Sequence, residues 1–556
     1  MKNKLALWIG LSTTAIILLW TAFAQVVIPF LIKQAYQQES LFPFLNTYLA
    51  KSNQSLENIL TRWYENTNSG IGVFLFCGLI ALLTTRPSFF DKYVRGATPN
   101  SLGVIRILIC GILLFQSLAF NLVRLSIPHL PEEVRAKMGL MQIFYSLPIG
   151  FEKLIENQIL LQSFCYLTAL ILFLGMIGWQ TKFMLPLGVL LWFTQAGIIR
   201  QYSYFFHTGI LPLYLLTLLS FTPCADGLSV DRLQKINRGQ VVPNADICAP
   251  VYGWSRYACW TVIAAVYVMA GINKIRFGGL LWWNYSNMRA IVYHGTLEDK
   301  IGSAFAWDLP RYLTEAPDIF YAFLGISGII LELSYLTVLF SPTARRIVPI
   351  LGVTLHIGII FFQKIIFFDL IILQLIFFDL TKISTAIQQK FTIFLDSRSI
   401  KNTKQNLSFP LKETTHSFLS FLLIVIPLNI LLLAWVFRIE CYPFTTWQMF
   451  ATTNHSGEIT YYRTIIHDQS STVSRINFKD IFGSSVYRYH VRNCFNPKKI
   501  QICQKFLDAS ALNYQEKASP EKTFKQFEIQ KWQWNFKFYP QDPQHGEIIA
   551  RFIYPN

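Results

Sequence analysis

The feature that most limits the fold of this chain is a succession of apolar segments. A helix that crosses a bilayer needs about 20 apolar residues, and about eleven segments approach or exceed that length. They lie near residues 5–32, 70–85, 102–123, 159–178, 183–200, 206–222, 254–275, 318–341, 346–362, 365–380 and 415–437. Only 14% of the residues are charged, against about 25% in a soluble domain. These features predict an α-helical polytopic membrane protein of about eleven spans.

The basic residues between the apolar segments indicate orientation and partners. The chain has 48 Lys and Arg against 31 Asp and Glu, a net charge of +17. Most of these bases lie between spans, so positive-inside topology and lipid headgroups explain them, and no nucleic-acid partner is expected. Lys2 and Lys4 place the N-terminus in the cytoplasm. With an odd number of spans, the C-terminal region is then expected outside.

Changes in composition divide the chain into five regions. They are N-terminal spans with an outer loop (1–100), a membrane core (101–380), a basic cytoplasmic linker (381–414), a last span (415–437) and a C-terminal domain (438–556). In the last region, residues 531–539 and 548–554 alternate in polarity around a turn at 541–546, which predicts a β-hairpin. A small, β-rich extracytoplasmic domain is therefore expected there, with one helix near 515–526.

The nine cysteines do not predict a metal site. No C-x-x-C pair occurs among them, so neither a zinc site nor a thioredoxin-like site is expected. Cys494 and Cys503 both lie in the polar C-terminal region. They are candidates for a disulfide, provided that this region lies outside the cytoplasm.

Five ionisable residues interrupt the apolar segments: Arg106, His207, Lys274, Glu332 and His356. Ionisable groups within a membrane are costly, so each is a functional candidate. Structural roles are the alternatives. Arg106 could pair with an acid or with headgroups, Glu332 could neutralise a base, and a membrane histidine could simply satisfy an interhelical hydrogen bond.

Lys274 lies in the stretch Tyr267–Arg276 and is closely followed by Trp282 and Trp283. A lysine at the end of a membrane helix can extend its ammonium to the interface. An amine held in a poorly solvated site instead loses affinity for its proton and becomes a usable base. A lysine, two histidines and a glutamate that converge would form a proton-handling site in a low dielectric.

The order of these residues resembles the horizontally transferred transmembrane domain superfamily and, within it, the vitamin K-dependent gamma-carboxylases. The resemblance covers roughly residues 100–380 and rests on short elements in the same order. Two are single residues: Arg106 near the start of a core helix and His207 at the start of a later one. The longest is a Tyr-x-x-Ala-Gly-x-x-Lys pattern formed by Tyr267, Ala270, Gly271 and Lys274. The others are the short sequences Ser229-Val230-Asp231, Glu332-Leu333-Ser334 and Leu355-His356.

The resemblance implies an integral-membrane enzyme that oxidises reduced vitamin K, or a related isoprenoid quinone, to its epoxide. The strong base formed in that reaction would drive carboxylation of a peptide glutamate. Lys274 would deprotonate the quinol, with His207 and His356 as further catalytic residues. His207, Trp282 and Trp283 would bind the quinone, and Arg106, Glu332 and Asn273 would be supporting polar residues.

A second hypothesis is not enzymatic. A related branch of the superfamily handles secreted peptides, in their maturation, export or immunity. The outer β-rich domain and aromatic outer loops would then bind a secreted peptide or protein. A transporter or channel is a weaker third hypothesis, because the sequence contains neither an inverted repeat nor paired broken helices.

Overall fold

The structure of the chain is a computed structural model. It describes residues 23–555 apart from 38–54, 62, 65–92, 95, 136–138, 147–149, 203–206, 245–246, 280–281, 298–312, 314–315, 379–417, 437, 452, 455, 469–472, 477–484, 518–523 and 538–545. The predicted span at 70–85 and the basic linker at 381–414 lie outside the described residues. The chain forms two compact units, Met1–Arg95 with Leu428–Glu440 and Gly96–Pro427 with Cys441–Asn556. We call the second the core unit.

The described fold is mainly helical. Its longer helices are α1 (Ile28–Tyr36), α2 (Pro99–Ala119), α3 (Gln158–Ile177), α4 (Thr181–Tyr202), α5 (Ile210–Leu219), α6 (Val230–Asn237), α7 (Pro250–Gly278), α8 (Tyr285–Leu297), α9 (Asp318–Ser334), α10 (Ala344–Gln363), α11 (Phe368–Leu373), α12 (Phe418–Val436) and α13 (Ile500–Lys517). Two further short helices, Gln142–Ser146 and Phe151–Glu156, precede α3. Local signals set several of the ends. Asn157, for example, caps α3 by accepting two backbone N–H groups, and Gly178 ends it in the left-handed region.

Six of the described helices are long and apolar enough to cross a membrane: α2, α3, α4, α7, α9 with its 3-10 extension to Leu339, and α10. The protein is therefore an integral membrane protein. The predicted segments at 206–222 and 365–380 form shorter apolar helices, Ile210–Leu219 and Phe368–Phe377. Ten helical residues cover about 15 Å, half of the roughly 30 Å hydrocarbon core. The described residues thus contain six helices able to span a membrane, and the predicted eleven spans are not confirmed.

Helix α7 is the centre of the core unit. In the most apolar stretch of α7, 78% of the residues are buried, against 22% in the corresponding stretches of α9 and α10. A helix that is apolar on all sides is a buried helix, whereas α9 and α10 turn part of their surface outwards. Ile319 and Phe323 of α9, for instance, are 74% and 65% exposed.

Gly271 permits α7 and α9 to pack closely. A Cβ at this position would lie 3.1 Å from the Cβ of Glu332 and 3.2 Å from a methyl group of Leu333. Because glycine has no side chain, the polar residues of both helices are brought within hydrogen-bond reach of one another. Gly271 lies between Tyr267 and Lys274 on α7. Tyr267 is hydrogen-bonded to His356, and Lys274 is hydrogen-bonded to Glu332.

The C-terminal residues form a four-stranded antiparallel sheet with the order β2-β1-β3-β4. Its strands are β1 (Glu458–Asp468), β2 (Val473–Ile476), β3 (Phe524–Asn535) and β4 (Glu547–Pro555). Strands β3 and β4 are antiparallel partners, which confirms the predicted hairpin, although β3 begins seven residues before the predicted 531. The small β-rich domain expected from the sequence is present.

Helix α8 connects this sheet to the membrane helices. Ala290, Tyr293 and Leu297 pack against Ile459, Tyr461, Trp534 and Phe536 of the sheet region. Met288 and Val292 of the same helix pack in a second cluster with Tyr321 and Ile329 of α9. The sheet is thereby packed against the membrane helices of the core unit through α8.

The C-terminal helix lies N-terminal to the predicted position. It was expected near 515–526, but α13 ends at Lys517 and residues from Phe524 onwards belong to β3, so that prediction was wrong. The buried residues Cys503, Phe506 and Ser510 have helical spacing, so the signal was present further upstream. A disulfide joins Cys494 to Cys503, with 5.1 Å between their Cα atoms.

Candidate functional site

The centre of the candidate site is an ion pair between α7 and α9. Lys274 Nζ donates hydrogen bonds to both carboxylate oxygens of Glu332, at 2.7 and 2.8 Å. The two side chains are only 7% and 11% exposed. The ammonium also lies 5.4 Å from the ring centroid of Trp282, within cation–π range. Lys274 is therefore held inside the helix bundle against an acid and an aromatic ring.

A second polar group lies on the same face of α7. Tyr335 Oη donates to Gln374 Oε1 at 2.7 Å, and Gln374 Nε2 donates to Tyr267 Oη at 2.8 Å. Tyr267 Oη lies 2.6 Å from His356 Nε2. Tyr335, Gln374, Tyr267 and His356 thus form one buried hydrogen-bonded group, in which the Tyr267–His356 bond can run in either direction according to the histidine tautomer.

His356 presents an unpartnered ring nitrogen at the end of that group. Its Nε2 is engaged with Tyr267. Its Nδ1 is buried and has no hydrogen-bond partner among the described residues. An unsatisfied buried polar atom is costly and rare in a protein interior. It marks a position where a polar group of a bound molecule would be stabilised.

The two groups are separated along the helices. Tyr267 and Lys274 are seven residues apart on α7, which places them on one face about 10 Å apart along the axis. Their partners Glu332 and Tyr335 lie in the last turn of α9 and at the residue that follows it. The sequence raised the possibility that Lys274 and His356 converge directly. The structure places them in neighbouring groups two helical turns apart.

His207 is reached by a segment that follows the last predicted span. Its Nε2 lies 2.9 Å from Thr445 Oγ1, and its ring centroid is 5.2 Å from that of Trp447. Thr445, Thr446 and Trp447 are at most 1% exposed. Residues 441–451, which we call the inserted segment, therefore pack into the core unit, with five of them buried, although the sequence assigned them to the outer domain.

The inserted segment also reaches the lysine side of the site. Asn273 donates its amide N–H to the Thr446 carbonyl. Trp282 donates its indole N–H to the Phe450 carbonyl at 2.7 Å. His207, Asn273 and Trp282 are thus held by one stretch of backbone. The sequence signal for this was the lack of any Lys, Arg, Asp or Glu over residues 441–457.

Two further residues fix the turn that presents His207. Gly209 has a φ of 79° and donates its N–H to Asp369 Oδ2 at 2.9 Å. Arg200 donates to the Thr208 carbonyl at 2.6 Å. Asp369 and Arg200 are 1% and 2% exposed. Sequence reasoning missed both as contributors: Asp369 acts through a contact 160 positions away in the chain, and Arg200 is the last residue of a predicted apolar segment.

Two of the predicted site residues lie elsewhere. Arg106 is fully buried and donates to the backbone carbonyls of Cys224, Gly227, Leu228 and Met176, so it holds the loop between α5 and α6. Trp283 packs in the apolar cluster beside α8 and α9. Its Cα lies 2.8 Å from where a Cβ on Gly325 would be, so it is a helix-packing residue.

The described residues contain no group of three or more His, Cys, Asp or Glu side chains able to hold a metal ion. The chemistry available at the site is that of an amine, a carboxyl and two imidazoles in an apolar environment. No protein-family model matches the chain, and neither a curated protein nor a solved structure is similar to it.

Proposed function

We propose that this chain is a membrane-embedded, quinone-dependent enzyme of the vitamin K-dependent gamma-carboxylase type, within the horizontally transferred transmembrane domain superfamily. The observation that carries the proposal is the buried Lys274–Glu332 pair. Burying two charges usually gains little stability, because desolvation offsets their attraction. An ionisable pair retained inside a membrane bundle is therefore best explained by proton chemistry.

The pair offers a direct route to a free amine. Transfer of one proton from Lys274 Nζ to a Glu332 oxygen spans 2.7 Å and converts two charges into two neutral groups. In a low dielectric the neutral form is favoured relative to water, since no charge has to be solvated. The free amine of Lys274 then takes the hydroxyl proton of a bound quinol. Glu332 thus holds the proton that Lys274 has released.

The surroundings suit a quinone ring. His356 Nδ1 is a buried, unpartnered ring nitrogen that an oxygen or hydroxyl group of the quinone ring would satisfy, and Trp282 supplies an aromatic face beside the amine. Bound reduced quinone would supply the oxidisable ring that reacts with oxygen to give the epoxide. His207, Asn273 and the inserted segment enclose the same region and exclude water from it.

The finer topology is part of the proposal. Eleven spans with a cytoplasmic N-terminus would place the C-terminal sheet outside the cytoplasm. A secreted peptide would reach the site from that side, past α8 and the inserted segment. The disulfide between Cys494 and Cys503 suits an oxidising compartment.

A peptide-handling role without catalysis is the second candidate, and the edge of the sheet favours it. Strand β4 lies at one edge of the sheet. Two of its side chains, Ile549 and Ile553, are 45% and 55% exposed. An extended peptide can add to such an edge through backbone hydrogen bonds. In that case Ile549→Lys with Ile553→Lys would abolish the function and Lys274→Met would leave it intact.

The direct test is oxidation of reduced vitamin K by the purified protein in lipid nanodiscs under oxygen, with the epoxide measured by mass spectrometry. Lys274→Met should lose epoxide formation, and the exposed Lys498→Met should retain it. Epoxide formation that is absent in the wild type, or equal in the Lys274 variant, refutes the proposal. Far-UV circular dichroism and size-exclusion elution confirm that each variant is folded.

A further inference from the structure

A cleft at the opposite end of α7 has the features of a separate binding site. Its volume is about 400 Å³, within the range of about 300–1,000 Å³ typical of small-ligand sites. The start of α4, the loop after α5 and helix α6 line it. Tyr252, near the start of α7, bonds to Asp226 in its wall. Lys274 lies 22 residues further along α7, roughly 33 Å away.

Three cationic side chains line the cleft, against two acids. Lys182, Lys235 and Arg238 line it and are exposed. Lys235 lies 3.9 Å from Asp226, whereas Lys182 and Arg238 have no acidic partner among the described residues. Behind the wall, Arg106 donates to the carbonyl of Cys224, another lining residue. An anion in the cleft would therefore meet several positive charges.

The two acids that line the cleft are already engaged. Asp231 accepts the backbone N–H groups of Gln180 and Thr181 and the Thr181 hydroxyl, so it caps the N-terminus of α4. Asp226 accepts the Tyr252 hydroxyl at 2.9 Å and lies near Lys235. Their carboxylates are thus engaged by protein donors, whereas Lys182 and Arg238 have no acidic partner among the described residues.

The rim of the cleft is apolar and outward-facing. Phe183, next to Lys182 at the start of a membrane-spanning helix, is 71% exposed. Phe221, in the loop after α5, is 69% exposed, and Ile236 of α6 is 43% exposed. Helix α6 contains no buried residue. An amphipathic helix with exposed apolar side chains is typical of the bilayer interface.

From these features we infer that the cleft binds the phosphate group of an anionic glycerophospholipid, with Lys182, Lys235 and Arg238 around the phosphate and an acyl chain along Phe183. The shared chemistry is a phosphate ester, which a soluble phosphate compound could also supply. The exposed aromatic rim and the membrane position of the cleft favour the lipid. The site is distinct from the Lys274 region and does not depend on quinone chemistry.

The test uses the full-length protein in detergent, with phosphatidylglycerol added and the thermal midpoint followed by tryptophan fluorescence. Phosphatidylglycerol should raise the midpoint of the wild type more than phosphatidylcholine does. In the triple variant Lys182→Gln, Lys235→Gln, Arg238→Gln, the half-saturating lipid concentration should rise on the order of a hundredfold, since each cation near an anionic lipid contributes roughly fivefold. The matched variant Lys498→Gln, Lys499→Gln, Lys531→Gln, altered in the C-terminal domain, should respond like the wild type.

Three outcomes would overturn the inference. They are equal stabilisation by phosphatidylcholine, an unchanged response of the cleft variant, and full stabilisation by inorganic phosphate alone, which would assign the cleft to a soluble phosphate compound. A photoactivatable phosphatidylglycerol gives a readout that needs no variant. It should label the peptide containing residues 180–185 of the wild-type protein, and labelling confined to other peptides counts against the site.

Discussion

Removing one partner of the Lys274–Glu332 pair should cost the fold much more than removing both. In Lys274→Met, the Glu332 carboxylate keeps its buried position but loses the ammonium that donates both of its hydrogen bonds. Breaking a buried pair on one side costs about 3–5 kcal/mol. At about 2 °C per kcal/mol, the thermal midpoint should fall by roughly 6–10 °C.

The double variant Lys274→Met, Glu332→Met should recover most of that loss. Two methionines have similar lengths to the side chains they replace and leave no buried charge. Replacement of a buried ion pair by apolar residues is often neutral, or stabilising by about 1–4 kcal/mol. Glu332→Met alone should be destabilised like Lys274→Met, because it leaves the ammonium unpaired.

Thermal unfolding followed by tryptophan fluorescence in one detergent checks all four proteins, since the chain contains 14 tryptophans. The reasoning requires two unstable single variants and a double variant near the wild type. Single variants as stable as the wild type would show that the two charges are not buried together. A double variant as unstable as the singles would show that packing, rather than charge, sets the loss.

Three further predictions concern the C-terminal domain and the topology. Burial lowers the pKa of His490, so the unfolded state, with a pKa of about 6.5, binds the proton more readily, and stability should fall as the pH drops below that value. His490→Gln should reduce this slope in a plot of thermal midpoint against pH, and an unchanged slope would exclude His490 as its source. Reduction of the Cys494–Cys503 bridge, or its replacement by two serines, should destabilise the domain by about 2–3 kcal/mol in urea unfolding, and no change in the urea midpoint would contradict this. The exposed Cys248 should react with a membrane-impermeant maleimide only in permeabilised cells, whereas Glu458→Cys in a Cys248→Ser background should react in intact cells, and the reverse pattern would invert the proposed topology.

The sequence predicted the class of the molecule because the bilayer imposes a length on each apolar segment. It also predicted the β3–β4 hairpin, since alternation of apolar and polar residues is a local signal. The short helices α5 and α11 could not be distinguished from full spans by hydropathy. Their ends are set by the Gly209 turn and by a change to 3-10 geometry, which are local breaks within apolar sequence.

The candidate site was only partly accessible from the sequence. Lys274, Glu332 and His356 stood out because ionisable residues are conspicuous in apolar segments. Their pairing depends on the close approach of α7 and α9 at Gly271, which no local pattern encodes. The inserted segment was expected in the outer domain because it follows the last predicted span, but it packs inside the core unit. Its burial against His207 is a long-range contact between residues 238 positions apart.

The proposed function stands on Lys274 acting as a base rather than as half of a structural ion pair. The most direct measurement is the yield of vitamin K epoxide per protein, under oxygen, from the wild type and from the double variant Lys274→Met, Glu332→Met. We predict that the wild type forms epoxide and that the double variant, although close to the wild type in thermal stability, forms none. Equal epoxide yields from the two proteins, or none from a folded wild type, would contradict the proposal.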